Sequence, residues 1–84
     1  MPTNKFVEML VVTLDTRGLM CPEPILKAES AIGEIDAGSE LLVLATDPAA
    51  PIDFEVWCKH KGHHYIGSEN TGQWLEISLR KKTG

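Results

Sequence analysis

Two prolines, at positions 22 and 24, fix the backbone of Cys21-Pro22-Glu23-Pro24 more tightly than that of any other stretch of this chain. Pro22 suits the first position of a helix, where its missing amide proton would have had no partner. Pro24 still falls within the first turn and is tolerated for the same reason. Ile25, Ala28, Ile32 and Ile35 then follow helical spacing, with Leu26 widening the stripe and Lys27, Glu29 and Glu34 off it. Gly38 is an end signal, so this helix is expected to stop at Ile35 or Asp36. Cys21 lies outside the stripe, after the turn-like Arg17-Gly18 and at the helix entrance. The unpaired amides of a helix N-terminus favour a thiolate over a thiol, and the thiolate is the reactive form. Cys21 is therefore expected to do chemistry, with much of the remaining chain as its scaffold.

The remaining elements follow from periodicity. Phe6 to Leu14 reads as a first strand, with Leu10, Val12 and Leu14 on one alternation. Glu40 to Thr46 contains the run Leu41-Leu42-Val43-Leu44-Ala45, a central strand covered on both faces or facing a helix layer. Pro51 opens a second helix in which Phe54, Trp57 and Cys58 share a face, Lys59 and Lys61 point to solvent, and Gly62 closes the helix. His64 to Glu69 is an edge-like strand interrupted by Gly67, and Asn70-Thr71-Gly72 makes a turn. Gln73 to Arg80 alternates, with Leu75, Ile77 and Leu79 on one side and Trp74, Glu76, Ser78 and Arg80 on the other. The order β-α-β-α-β-β is met most economically by one sheet with both helices on one face. A right-handed parallel crossover then joins the first two strands. A single domain is expected over residues 1–84, with its core between about 6 and 80.

Composition excludes several classes. An apolar share of 43% is that of an ordinary globule and argues against disorder. A net charge of −4 disfavours a non-specific grip on nucleic acid, so no direct nucleic-acid partner is expected. Neither a signal peptide nor a membrane span is visible before Asp15, and no membrane partner is expected. The two cysteines, 37 positions apart, are too few for a disulfide scaffold and unlike a CxxC pair, which points to a reducing cytoplasm.

Cys21 has no histidine near it in sequence, so a fixed base would have to come from His60, His63 or His64. A carrier needs less apparatus: its thiolate accepts sulfur from a partner's persulfide, and the partner supplies activation. Arg17 could stabilise a thiolate, steer an acidic partner loop, or be a solvated loop charge. Asp15 can accept backbone hydrogen bonds in the turn around Gly18. Glu23 complements the helix dipole while its charge opposes thiolate formation. Cys58 reads as a core residue rather than a resolving thiol. Cys58 and the three histidines lack the paired spacings of zinc motifs, and GxxxxGK[ST] is absent, so neither metal nor cofactor is expected. Trp74, facing outward, could contact a partner or cover the sheet.

The run Leu14-Asp15-Thr16-Arg17-Gly18-Leu19-Met20-Cys21-Pro22-Glu23-Pro24 resembles the signature of the TusA-like, or SirA-like, sulfur carrier family. The similarity continues through Gly38, Leu41 to Thr46, Asp47-Pro48, Asp53, Cys58 and Gly62-His63, and covers the chain from about Leu14 to Arg80. It implies an α/β (α+β) two-layer sandwich with a four-stranded mixed sheet. It also implies that Cys21 receives sulfane sulfur as a persulfide from a cysteine desulfurase or rhodanese-like donor and relays it to an acceptor protein. Destinations implied are tRNA thiolation, cofactor assembly or sulfur metabolism. Asp15, Arg17 and Gly18 would belong to the presenting loop, and Pro22, Glu23 and Pro24 to the helix start. Pro51 before Ile52-Asp53, Trp57 before Cys58, the two histidines after Gly62 and the apolar run before Leu14 depart from the best-known tRNA-thiolation members. A regulatory or redox-sensing interaction module is the alternative function.

Overall fold

The structure, a computed structural model, describes residues 11–83. The expected strand residues Phe6 to Leu10 lie outside the described residues. The elements are β1 (Val11–Asp15), α1 (Glu23–Ile32), β2 (Glu40–Ala45), α2 (Ala50–Lys61), β3 (His64–Asn70) and β4 (Leu75–Arg80). The strands form one sheet in the order β1-β2-β4-β3. β1 and β2 run parallel, as the helical crossover between them requires, and β4 is antiparallel to both β2 and β3.

Strand alternation decides which face is covered. Leu41, Val43 and Ala45 of β2 and Ile77 and Leu79 of β4 are fully buried, and they pair across the ladder as Leu41–Leu79 and Val43–Ile77. The residues between them, Leu42, Leu44, Glu76 and Ser78, are only half-buried on the other face. Both helices therefore lie on one side, and β2 faces a single helix layer. α1 brings Ala28 and Ile32 into this core, and α2 brings Ala50, Phe54, Trp57 and Cys58. Phe54 meets Trp57 edge-on at 6.0 Å. The Trp57 indole N–H donates to Glu29 Oε2 at 3.2 Å and ties the two helices together.

Helix α1 is shorter than its apolar period suggests. It ends at Ile32, where Gly33, a poor helix former, caps it. Ile35 still packs on the core, but from the following turn. Gly38 instead serves that turn: its φ of +85° suits glycine, and its N–H donates to the Lys81 carbonyl at 3.0 Å. Leu26 does not widen the buried stripe and is 56% exposed. Gly62 does close α2, in the left-handed conformation, with its N–H bonded to the Cys58 carbonyl at 2.8 Å. β3 is an edge strand whose register shifts between Tyr65 and Gly67. No helix among the described residues is long and apolar enough to cross a membrane.

Candidate functional site

Cys21 stands on the loop that leaves the end of β1, exposed and free. Three contacts bind this loop to the exit of β2. Thr16, fully buried, donates both its N–H, at 2.8 Å, and its hydroxyl, at 2.7 Å, to the Leu44 carbonyl. The Gly18 N–H donates to Thr46 Oγ1 at 2.9 Å. The Cys21 N–H donates to Asp47 Oδ2 at 3.0 Å. Gly18, at φ +85°, supplies a left-handed residue between the second and third of these contacts. Asp47, 6% exposed, also takes the Ala49 N–H on its other oxygen at 3.0 Å, so one carboxylate fixes both the cysteine and the entrance to α2.

The sulfur is not the helix-stabilised thiolate that its position suggests. α1 begins at Glu23, with Pro22 at the N-cap and Pro24 at the second helical position. Of the amides at this helix entrance, the Glu23 N–H bonds to the Met20 carbonyl and the Leu26 N–H to the Pro22 carbonyl, and Pro22 and Pro24 have none to offer. The Cys21–Pro22 peptide is cis. The Cys21 thiol is pushed up from its ordinary range, first by a hydrogen bond with Asp53, then by desolvation and by the charges of Asp53 and Asp47.

Arg17 is engaged by Asp15 and Trp74. Its guanidinium donates to both Asp15 carboxylate oxygens at 2.8 Å, and its backbone N–H donates to Asp15 Oδ1 at 3.0 Å. It also stacks 4.6 Å over the Trp74 ring, whose indole N–H donates to Glu76 at 3.1 Å. Trp74 thus covers the loop from the β3–β4 turn. The Arg17 hydrogen bonds hold Asp15 at about 2. That value lies below the ordinary carboxylate range, so whatever the pair adds to stability is present near neutral pH and fades as pH falls from about 4 toward 2. In Arg17→Gln the Asp15 midpoint, read from its carboxyl carbon shift, should return to roughly 4. A midpoint unmoved by the substitution would show that Arg17 is not its cause.

The histidines lie elsewhere. In the sheet register His64 sits beside Arg80, which pairs with Glu40, which pairs with Val11, whereas the loop to Cys21 leaves from Asp15 at the other end of β1. That separation is roughly a strand length of 15 Å. His63 packs on Trp57 at 5.3 Å, and its Nδ1 accepts the Lys82 N–H at 3.1 Å. Burial, then Lys82, Lys81 and Lys61, lower its pKa. Cys58 is buried at 1% exposure, and that burial pushes its thiol up to about 11. Among the described residues, no group of three or more His, Cys, Asp or Glu side chains is placed to hold a metal ion.

This two-layer α+β fold is shared with a SirA-like protein from Desulfitobacterium hafniense, whose crystal structure superposes with a TM-score of 0.70. That likeness covers 87% of this chain and 99% of the other at 22% identity. The family model described as Sulfurtransferase TusA matches residues 12–81. The sulfur carrier protein TusA of Pseudomonas entomophila is 37% identical over 70 residues, covering 83% of this chain and 88% of that one. NMA0882 of Neisseria meningitidis serogroup A, a candidate sulfur carrier protein, is 53% identical over 82% of this chain and 95% of its own. YrkF of Bacillus subtilis is 41% identical over 83% of this chain, which spans 38% of that longer protein. The chain belongs to the TusA family.

Thr16 and Asp47, which the sequence singled out only as part of the family resemblance, are central to the geometry. Their partners lie 28 and 26 positions away in sequence.

Proposed function

We propose that this chain is a cytoplasmic sulfur carrier, a single domain over residues 1–84 whose Cys21 cycles between thiol and persulfide. A cysteine desulfurase or rhodanese-like protein loads it, and an acceptor protein in tRNA thiolation, cofactor assembly or sulfur metabolism unloads it. In loading, the Cys21 thiol gives up its proton to solvent or to a base of the docked donor, and its thiolate attacks the outer sulfur of the donor persulfide. The donor S–S bond breaks, the donor leaves as a thiolate, and the outer sulfur stays on Cys21 with no oxidant consumed. Asp15, Arg17 and Gly18 shape the presenting loop, and Pro22, Glu23 and Pro24 shape the helix start.

The observation that carries this reading is an exposed, free cysteine whose backbone N–H is pinned by Asp47 at one end of the sheet, where neighbouring carboxylates push its thiol up. Such a thiol is rigidly presented yet idle until a partner activates it, as a relay requires. The redox-sensing alternative calls for a low-pKa thiolate, and the carboxylates at Cys21 work against one. Incubation with a desulfurase and cysteine, followed by peptide mass spectrometry, tests the proposal. The peptide holding Cys21 should gain one sulfur, and the peptide holding buried Cys58 should gain none. Sulfur on Cys58 at equal yield, or on neither peptide, would overturn it.

A further inference from the structure

We propose that the end of the sheet opposite Cys21 is a binding site for a small phosphate-bearing ligand: His63, His64, Arg80, Lys81 and Lys82 line an open cleft there and offer donors that the fold leaves unused. This site is separate from the sulfur chemistry and does not depend on the reading of Cys21.

The chain is acidic overall, with a net charge of −4, yet its positive charge is gathered in two places. Lys59-His60-Lys61-Gly62-His63-His64 and Arg80-Lys81-Lys82 hold five of its eight Lys and Arg residues, all three histidines and no acid. The fold makes them one surface. His64 pairs with Arg80 in the β3–β4 register. The Lys82 N–H donates to His63 Nδ1 at 3.1 Å, and the Lys82 ammonium donates to the Lys61 carbonyl at the end of α2, also at 3.1 Å. The Lys82 stem passes over the left-handed Gly62, where a Cβ would stand 3.6 Å from it. The open cleft between these segments has a volume of about 520 Å³, that of a small-ligand site.

Helix capping and ion pairing account for only part of this charge. Lys82 and Lys81 cap the carbonyls of Lys61 and Ile35, the latter at 2.7 Å, and each bond uses one of an ammonium's three protons. Arg80 pairs with Glu40 through one terminal nitrogen, and Lys61 pairs with Glu29 at 3.6 Å. Among the described residues no carboxylate pairs with Lys81 or Lys82. His63 has the most definite geometry. Because Nδ1 accepts, the neutral ring carries its proton on Nε2, and packing on Trp57 at 5.3 Å fixes the ring. Nε2–H is therefore a preset donor on the cleft that both lysines line. Burial first, then Lys82, Lys81 and Lys61, lowers the His63 pKa, so the ring itself senses the unmatched charge. A phosphate group, with several oxygens and up to two charges, takes more donors than one carboxylate and suits a guanidinium flanked by ammonium groups. A small ligand fits better than a long polyanion, which would run from this cluster onto an otherwise acidic surface.

The NMR signal of the His63 Cε1–H, followed through a pH titration of the full chain, tests the proposal. Sodium pyrophosphate should raise the His63 pKa by about 1 unit over sodium chloride at the same ionic strength, since a neighbouring anion favours the charged imidazole. Inorganic phosphate should act in the same direction. In the double variant Lys81→Gln, Lys82→Gln, pyrophosphate affinity read from the same signal should fall by about tenfold or more, as expected when charge-assisted hydrogen bonds are lost. The backbone N–H that position 82 gives to His63 survives this change, so the ring keeps its place. The measurement on the unsubstituted chain stands whether or not the double variant folds. A rise of the same size from sodium chloride alone, or no rise with either phosphate salt, would overturn the site. An equal rise with a glutamate-rich peptide would overturn the choice of phosphate, and tighter binding of an RNA oligonucleotide would overturn the choice of a small ligand.

Discussion

Replacing Cys21 with serine is expected to reduce sulfur loading to the level of a carrier-free control while leaving the fold in place. Serine retains the backbone N–H that Asp47 accepts, and the lost sulfur lies on an exposed loop outside the core. Its hydroxyl cannot form the S–S bond that a persulfide requires. The stability change should stay within about 0.5 kcal/mol, as for surface substitutions in general. Radiolabelled sulfur from cysteine and a desulfurase, followed on the intact protein, measures loading, and circular dichroism with thermal melting measures the fold. A folded serine variant labelled as well as the parent would sink the assignment of Cys21.

Phe54→Ala should have the largest effect on stability. Phe54 is fully buried at the centre of the helix layer, edge-on to Trp57. Truncating a core phenylalanine to alanine costs about 3–5 kcal/mol, from lost transfer free energy together with the cavity left behind. Small domains have about 5–15 kcal/mol in total, and one of this size sits low in that range. The variant should therefore be partly unfolded at 37 °C, with its urea midpoint shifted strongly downward. A midpoint within about 1 kcal/mol of the parent would mean that the core collapses around the gap.

These effects separate what local sequence reveals from what it hides. Leu75, Ile77 and Leu79 alternate with polar residues, and period two alone decides which of them face the helices. In α1 the same logic overran, because Ile35 keeps the helical period while reaching the core from a turn beyond Gly33. Leu26 lies near the stripe in projection but faces solvent. At the site, the cysteine and its prolines were legible from their spacing. The upward push on its thiol was not, because it comes from Asp53 and Asp47, which lie beyond β2 in the sequence. Arg17 had three open roles in the sequence, and its stacking on Trp74 from the β3–β4 turn is a contact that none of them foresaw. Long-range contacts fix what local pattern leaves free.

The stitching of residues 16–21 to Leu44, Thr46 and Asp47 bears on how portable this site is. A synthetic peptide spanning 14–32 would carry every letter of the cysteine motif, yet it would lack the strand end that supplies all three acceptors. Loop closure across such a separation is entropically unfavourable, and the folded sheet brings the ends together before any partner arrives. Grafting the motif onto another scaffold would therefore transplant a cysteine without its geometry. Conversely, any event that frays the end of β2 would disarm the thiol while leaving its sequence intact.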